Sequence, residues 1–486
     1  MRKRRKATRN VILFLVAVLI MAGLIVMVGR SRHTVVIMPP ESPDMVAKRQ
    51  APDNAYRGLE DAANAIPAPL PPKPPPGNVV TLDRRDERKR GLRTGQIPPG
   101  MEMTSMASRP RTVSGWFGFE RDDNDPELAE YARQCEPVVG RVREASSKPY
   151  LLPAVDWASF SELPWNLYQE PPAFYGRLGR VVVGKGVYAI RVSKDPAKGV
   201  EHILTALRLG RMLEGDGPVS FYERAASLQR EALQAFDDLI PLCPDDVLRT
   251  ALKELDAMRR GIAPPPGILD FQWRVIDNVA RLKMDQNMES ATGAAADGRK
   301  IGVQLFFNTQ MKSIRQIVAA NREEFGRVAA MTYPESVAWK SAHRELTQQS
   351  GRLAAVNPLN LVNRLVVWRA VIETYYGGAE VAMALELYRR NHGGGAETLE
   401  ALGAEFPDLP MDPFTGKPFL YKVQGNDCML YSAGMNQTDD GGVEQDQQAF
   451  AMTLWYGGAG FRQGRGTDIV IHRPAPPIAP PAGAPS

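Results

Sequence analysis

An unbroken run of eighteen apolar residues, from Val11 to Val28, constrains this chain more than any other feature of its sequence. An α-helix rises about 1.5 Å per residue, so the run would be about 27 Å long, close to the thickness of a bilayer's hydrocarbon core. A cleaved signal peptide is the alternative, but the run exceeds the usual apolar length of one and no small-residue cleavage site follows it. We therefore expect residues 11–29 to form a single transmembrane helix that is kept as a signal anchor.

The charges beside this run predict its orientation. Residues 1–10 carry six basic side chains and no acidic one, whereas only Arg30 and Arg32 follow closely behind the run. The positive-inside rule then places a basic stub in the cytoplasm, the span in the inner membrane and the bulk of the chain outside the cytoplasm. Subtracting these six charges from the net charge of +5 leaves −1, so we expect the bilayer as a partner and no nucleic acid.

A region rich in proline and charge separates the predicted anchor from the first folded part. Residues 67–77 contain seven prolines, which favour an extended polyproline II segment. Residues 53–66 could form one short helix, and the rest of 30–125 offers little to bury. We expect 30–125 to be a disordered spacer, with a partner-docking motif as the alternative reading of its prolines. The tail 474–486 is expected to be disordered as well.

Residues 126–354 show apolar residues at helical spacing and predict a helical bundle or array. Within it, Ser220 and Glu223 have the spacing of a capping box at the start of a helix. The segment 179–192 is ambiguous. Its pattern resembles a β-hairpin that turns at 184–186, and a continuation of the neighbouring helices through it is the alternative.

The sequence contains no motif for a familiar catalytic or metal site. Its three cysteines, Cys135, Cys243 and Cys428, are far apart, and its five histidines are scattered singly. Buried free thiols are the preferred interpretation, and one disulfide is the alternative. Signatures of serine hydrolases, zinc proteases and P-loop proteins are absent from the sequence.

Four pairs of polar residues are the remaining candidates for acid–base chemistry, and His343 with Glu345 is interpreted in the same way as Glu201 with His202. Glu201 and His202 stand near the start of a predicted helix, where a solvated helix end explains them better than a general base does. Asp237 and Asp238 stand at the end of one predicted helix, and Asp245 and Asp246 open the next. Solvation or interaction with the helix dipole is the simpler interpretation of both pairs. We therefore predict no catalytic residue and regard an enzyme as the less favoured class.

The last folded part, residues 355–473, carries the most specific pattern. A long helix is expected over 355–392, with Gly393 as its left-handed cap, and a short helix or turn follows at 396–402. Asp412, whose side chain can hydrogen-bond the backbone ahead, and the proline after it then set a turn. Alternating residues on either side of 424–427 predict an antiparallel hairpin, and 468–471 a final strand. The expected unit is a small α+β module.

The segments of this module, ALELYRRNHG, LEAL, LPMDPFTGKPFLY, LYSAG and a late DI, occur in an order that resembles the globular part of the major pseudopilin of type II secretion. The resemblance covers about residues 378–472. In that family an N-terminal apolar helix with a prepilin-peptidase signature builds a filament. Here the apolar helix lies far upstream and lacks that signature, and a large helical region intervenes. The layout resembles single-pass bacterial envelope proteins that carry such a module.

The resemblance also implies a calcium site in the loops of the module. In the family, loop aspartates near the C-terminus bind calcium, and this implies Asp440 and Asp468 most directly, with Asp439 beside them. Carboxylate oxygens suit Ca²⁺. The alternative is a solvated loop in which the sequence Asp-Asp-Gly-Gly serves only the geometry of a turn.

The expected fold is mainly α: a transmembrane helix, a proline-rich linker, a helical bundle or array, and a small α+β module with a hairpin. The predicted parts are the basic stub (1–10), the anchor (11–29), the linker (30–125), the helical domain (126–354), the long helix with the α+β module (355–473) and the tail (474–486). The expected function is that of a non-enzymatic envelope protein with a protein partner, linked to secretion or cell-surface assembly. An enzyme whose site is assembled from the helical region, or a carrier of a lipid or small ligand, is the alternative.

Overall fold

The computed structural model describes residues 47–48, 50–70, 113–118, 122–149, 151, 174–215, 219–262, 267–270, 272–273, 313, 316–343, 345, 358–424, 427–443 and 468–473. The predicted anchor at 11–29, residues 71–77 of the proline run and the C-terminal tail lie outside these residues. Within the described part of the chain, no helix combines the length and the apolar character that a bilayer crossing requires. The membrane anchor therefore stays a prediction.

The described residues are mainly helical and end in a small antiparallel sheet, which confirms the expected class at this level. Residues 316–330 are also helical. The described residues also include three short 3₁₀ helices, Ile240–Leu242, Leu399–Ala404 and Gly434–Asn436. The α-helices are α1 (Tyr56–Asn64), α2 (Val113–Phe117), α3 (Pro126–Gln134), α4 (Glu136–Ser146), α5 (Phe174–Arg191), α6 (Pro196–Leu213), α7 (Val219–Asp237), α8 (Asp245–Arg260), α9 (Tyr333–Ala342) and α10 (Pro358–His392).

The prediction that 30–125 is a spacer without packed structure is wrong for two of its segments. Helix α1, the short helix expected from the sequence, packs against α4 and α5 and buries Leu59 completely. Helix α2 packs against α5 and buries Trp116 and Phe117. Both segments contribute large apolar side chains to the core, so part of the predicted linker belongs to the helical body.

The ambiguous segment 179–192 is helical and lies within α5, so the hairpin interpretation is wrong. Its glycines serve close packing instead of a turn. A Cβ on Gly184 would lie 2.7 Å from the Phe117 ring, and a Cβ on Gly186 would lie 3.0 Å from the carbonyl oxygen of Gly199 in α6. Each glycine costs only about 1 kcal/mol in a helix interior. Burial of the apolar face of α5 therefore outweighs the poor helix propensity of its glycines.

Helix α7 does not use the predicted capping box. Ser220 lies inside the helix, and its hydroxyl has no hydrogen-bond partner among the described residues. Glu223 instead accepts hydrogen bonds from the side chains of Arg364 and Trp368 on α10. A contact between two helices has therefore taken the place of the local cap.

Helix α10 is the central element of the described structure. It is 35 residues long, and every residue from 374 to 387 is buried. It contacts α7, α8 and α9 as well as the two strands Asp427–Ser432 and Ile469–His472. Gly393, with φ of +70°, follows its last residue as the predicted left-handed cap.

The sheet has three strands, β1 (Leu420–Gln424), β2 (Asp427–Ser432) and β3 (Ile469–His472), in that spatial order and antiparallel throughout. The pairing of Gln424 with Asp427 confirms the predicted hairpin. The short 396–402 helix is present as the 3₁₀ turn at 399–404. A register shift between Leu430 and Tyr431 places Leu430 opposite His472 and Tyr431 opposite Val470.

One hydrophobic core runs through the helical body and the sheet, from Ala55 to Ile471. The boundary expected at 354/355 therefore does not separate two cores. A Cβ on Gly378 of α10 would lie 2.2 Å from the Cδ1 atom of Ile471, so the strand packs directly on the helix backbone. At the other side, the Tyr333 hydroxyl donates a hydrogen bond of 2.8 Å to the carbonyl of Met435.

Candidate functional site

The turn that begins at Asp412 organises the start of the sheet. Its carboxylate is 1% exposed and accepts hydrogen bonds from the backbone N–H of Phe414 at 3.0 Å and from the Ser432 hydroxyl at 2.8 Å. The backbone N–H of Ala433 donates to it as well. Burial raises the pKa of Asp412, and these hydrogen bonds act in the opposite direction. The sequence-based prediction of an aspartate that bonds the backbone ahead of it is confirmed.

The three aspartates expected to bind calcium lie in neighbouring turns beside β3. Asp468 is 2% exposed and accepts hydrogen bonds from the backbone N–H groups of Asp440 at 3.1 Å and Gly442 at 2.7 Å. Asp440 accepts a hydrogen bond of 2.8 Å from the Asn436 side chain. Asp439 accepts hydrogen bonds from the Tyr431 hydroxyl and from the backbone N–H of Gly441.

These carboxylates are arranged to close turns more than to surround a cation. Gly441 and Gly442 have positive φ values of 80° and 83°, and their N–H groups point at aspartate oxygens. Among the described residues, the three aspartates do not bring three ligand atoms together, and the one group that does so lies elsewhere. Hydrogen bonds within the loops engage all three carboxylates, and the calcium site implied by the resemblance stays a prediction.

A second polar cluster lies at the other end of the same sheet and was not expected from the sequence. It brings together Asp427 and Cys428 at the start of β2, His472 at the end of β3, and Asp237 at the end of α7. The Nδ1 atom of His472 lies 2.9 Å from Asp237 Oδ1, and its Nε2 atom lies 3.4 Å from Asp427 Oδ1. We call these four residues the histidine cluster.

The electrostatics of the histidine cluster follow from its two carboxylates. Burial alone would lower the pKa of His472, but hydrogen bonds to Asp237 and Cys428 raise it to about 11. The side chain of Asp237 is 4% exposed and that of Asp427 is 39% exposed. The ring therefore joins a buried carboxylate of the helical body to a half-exposed one of the sheet.

The interpretation of Asp237 as a solvated helix-end residue is therefore wrong. Its helix packs near β3, so its carboxylate meets a side chain 235 positions later in the chain. Asp238 remains half-buried beside it. The one signal in the sequence was a pair of acidic residues at a helix C-terminus, where the dipole disfavours negative charge unless a cation is near.

The solvated-end interpretation of His202 is also wrong. Helix α6 begins at Pro196 with Asp195 as its cap, so His202 lies two turns inside the helix and is fully buried. Neither of its ring nitrogens has a hydrogen-bond partner among the described residues. Burial lowers the pKa of His202 to about 4, with nearby cations such as Lys185 adding to the effect.

Lys185 lies next to this histidine and is itself 7% exposed. Its ammonium group lies 2.6 Å from Glu136 Oε2 and donates a hydrogen bond of 2.9 Å to the carbonyl of Ala132. Burial alone would raise the pKa of Glu136, but Lys185 and Lys198 lower it to about 2. The lysine is thus held in a fixed ion pair, which is a structural role.

Among the described residues, neither the three cysteines nor the surface depression described next supplies a group of catalytic side chains. Cys135, Cys243 and Cys428 are free, and the first two are buried. An open depression of about 610 Å³ lies between α1 and α4, and its lining includes Asp61, Arg141, Glu144 and Lys148. Such a charged, open surface suits neither a lipid nor a small apolar ligand.

Comparison with protein-family models, with curated proteins and with solved structures finds no match to this chain. The resemblance of the C-terminal module to pseudopilins therefore stays a prediction.

Proposed function

We propose that the protein is a single-pass envelope protein that makes protein contacts at the membrane surface, beside a secretion or cell-surface assembly. The observation that carries this proposal is the single core that includes both the helical body and the sheet. Because α10 spans both parts, they present one rigid surface and do not move as two independent domains. A rigid body on an N-terminal anchor is suited to holding partners in a fixed arrangement.

Large apolar side chains on the surface of the module support a contact role. Met411 is 56% exposed, Val423 is 53% exposed and Val443 is 56% exposed. Val423 lies on β1, which is an edge strand of the sheet. An edge strand can accept a further strand from a partner, and apolar side chains on it add contact area.

The membrane part of the proposal is tested with the full-length chain in a bacterial host. We expect it to sediment with membranes and to need detergent for extraction. Protease added to spheroplasts should digest the part of the chain that follows the membrane anchor. A variant without residues 11–28 is the matched control and should leave the membrane fraction. A full-length chain that stays soluble without detergent, or a body that spheroplasts protect from protease, would contradict the proposal.

The contact role is tested by placing a photo-crosslinking amino acid at single positions of the full-length protein in cells. We expect defined crosslinked species from Met411 and Val423. Arg249, an exposed residue on α8, is the control position and should give none. Equal crosslinking at all three positions, or none at any of them, would contradict a specific interface on the module.

A further inference from the structure

Three side chains of types that bind transition metals converge at one end of the sheet. One donor atom from each of Asp427, Cys428 and His472 lies within 4.8 Å of the other two. The separation of His472 Nε2 and Asp427 Oδ1 is 3.4 Å. A tetrahedral zinc ion with bonds of about 2.0–2.1 Å holds its ligands about 3.3 Å apart, so this pair already spans one edge of such a site.

The other nitrogen of the ring is held as metal-binding histidines are usually held. His472 Nδ1 lies 2.9 Å from the buried carboxylate of Asp237, which fixes the ring orientation and directs Nε2 toward Asp427 and Cys428. A carboxylate behind the histidine is the common arrangement around protein-bound zinc, and it makes the nitrogen a better ligand.

We propose that Asp427, Cys428 and His472 bind a Zn²⁺ ion, with Asp237 as the residue that positions the histidine. Sulfur, nitrogen and one carboxylate suit a borderline-soft ion better than they suit Ca²⁺ or Mg²⁺. On binding, the Nε2 proton of His472 and the thiol proton of Cys428 pass to solvent, and water occupies the fourth position. This site is separate from the calcium site implied by the family resemblance, and it goes beyond the proposed contact function.

The surroundings of the cluster are compatible with a cation. Asp427 Oδ1 also accepts a hydrogen bond of 2.8 Å from the backbone N–H of Cys428, which fixes this carboxylate beside the thiol. Arg389 interacts electrostatically with Asp427, and its guanidinium makes two hydrogen bonds of 2.7 Å to Glu386. The competing explanation is a protonated histidine between two carboxylates, in which the thiol has no part.

The test uses the full-length protein, purified with a tag that contains no histidine and freed of metal by a chelator. Zinc binding is measured by competition with a chromophoric chelator. Cobalt is then substituted, because a cysteine ligand gives a thiolate-to-cobalt charge-transfer band in the near ultraviolet. We expect one equivalent of zinc per chain, the charge-transfer band, and a higher unfolding temperature in zinc.

Variants identify the ligands. We expect Cys428→Ser to remove the charge-transfer band and to weaken zinc binding by at least about 100-fold. Asp237→Asn should keep the band and weaken binding by about 10- to 100-fold, as is typical for a residue behind a ligand. Cys243→Ser and Asp238→Asn are the matched controls and should bind like the parent. Circular dichroism and thermal unfolding without metal show which variants are folded.

Three outcomes would overturn the proposal. The first is the absence of stoichiometric zinc binding at micromolar concentrations. The second is a cobalt spectrum without a thiolate band. The third is a folded Cys428→Ser protein that binds zinc as tightly as the parent, because the cluster would then be only an ion-paired histidine.

Discussion

Buried polar groups are satisfied differently in the two main regions of this molecule. In the sheet, Asp412 and Asp468 are almost fully buried, and each accepts hydrogen bonds from backbone N–H groups of nearby turns. In the helical body, His202 is fully buried and has no partner among the described residues, and two guanidinium nitrogens of buried Arg230 have none either.

The difference follows from where backbone donors are available. A turn leaves backbone N–H groups unpaired, so a short acidic side chain that packs against a turn finds donors there. Asp412 finds one two residues ahead, and Asp468 finds two in the turn 26 and 28 residues earlier in the chain. A helix uses its own N–H groups, so a buried polar side chain there must find a partner on another helix or remain without one. The sheet region should therefore lose stability when its carboxylates are removed, and the body should lose it when its buried histidine is charged.

The largest effect is expected for Asp412→Ala. Removing the carboxylate leaves the buried N–H groups of Phe414 and Ala433 and the Ser432 hydroxyl without this acceptor. Unsatisfied buried groups cost about 1–3 kcal/mol each, so we expect the free energy of unfolding to fall by about 3–4 kcal/mol. Urea unfolding of the full-length protein measures this change. Exposed Asp408→Ala is the control, and an equally small loss in both variants would contradict the role of Asp412.

The second effect is a loss of stability on the acid side that depends on His202. Its pKa is about 4 in the folded protein against an ordinary value of 6.5, so between these values protons bind mainly to the unfolded chain. The free energy of unfolding should fall as the pH is lowered through this window, by roughly 3 kcal/mol from this residue. Carboxylates contribute to the same fall, so the measured quantity is the difference between variants.

His202→Leu isolates the contribution of this histidine. Unfolding curves at several pH values between 7 and 4 should show a shallower loss in the variant than in the parent. Gly140→Ala, which changes no titratable group and meets no atom within 4 Å, is the control and should keep the slope of the parent. Parallel pH profiles for His202→Leu and the parent would show that His202 takes up its proton in the folded state as readily as in the unfolded chain.

The same contrast explains which features the sequence predicts. The end of α10 at Gly393, the acidic start of α8 and the hairpin at 424–427 all follow from residues that are adjacent in sequence, and the structure contains all three. The aspartate turn at Asp412 belongs to this group only in part, because Phe414 donates from two positions ahead whereas Ser432 and Ala433 lie 20 and 21 positions later.

The features that were missed depend on contacts between distant segments. Glycines in 179–192 mimic a turn in sequence but allow close helix packing in the fold, which is visible only once α6 and Phe117 are in place. The histidine cluster joins Asp237 to His472 across 235 positions. No periodicity or spacing can indicate such a pair in a single sequence, because helix order and sheet register decide it together.

A third effect, of intermediate size, tests how firmly the two regions are joined. Gly378→Ala would place a Cβ within 2.2–2.8 Å of three atoms of Ile471, a β-branched residue in a strand with little room to move. We expect a loss of about 2 kcal/mol from overpacking. Gly140→Ala in α4 meets no atom within 4 Å and should be neutral or slightly stabilising. Equal stability of the two variants in urea would show that β3 adjusts freely on α10.

The smallest effect is expected from calcium. Asp468, Asp440 and Asp439 already accept hydrogen bonds from backbone or side-chain donors, so an ion would have to displace donors that close the turns at Gly441 and Gly442. We expect the unfolding temperature of the full-length protein to differ by less than about 1 °C between calcium and a calcium chelator, since weak binding adds little stability. Differential scanning calorimetry measures it. A saturable rise of several degrees that Asp468→Asn abolishes, with Asp408→Asn as the control, would instead establish the calcium site and show that these turns rearrange around the ion.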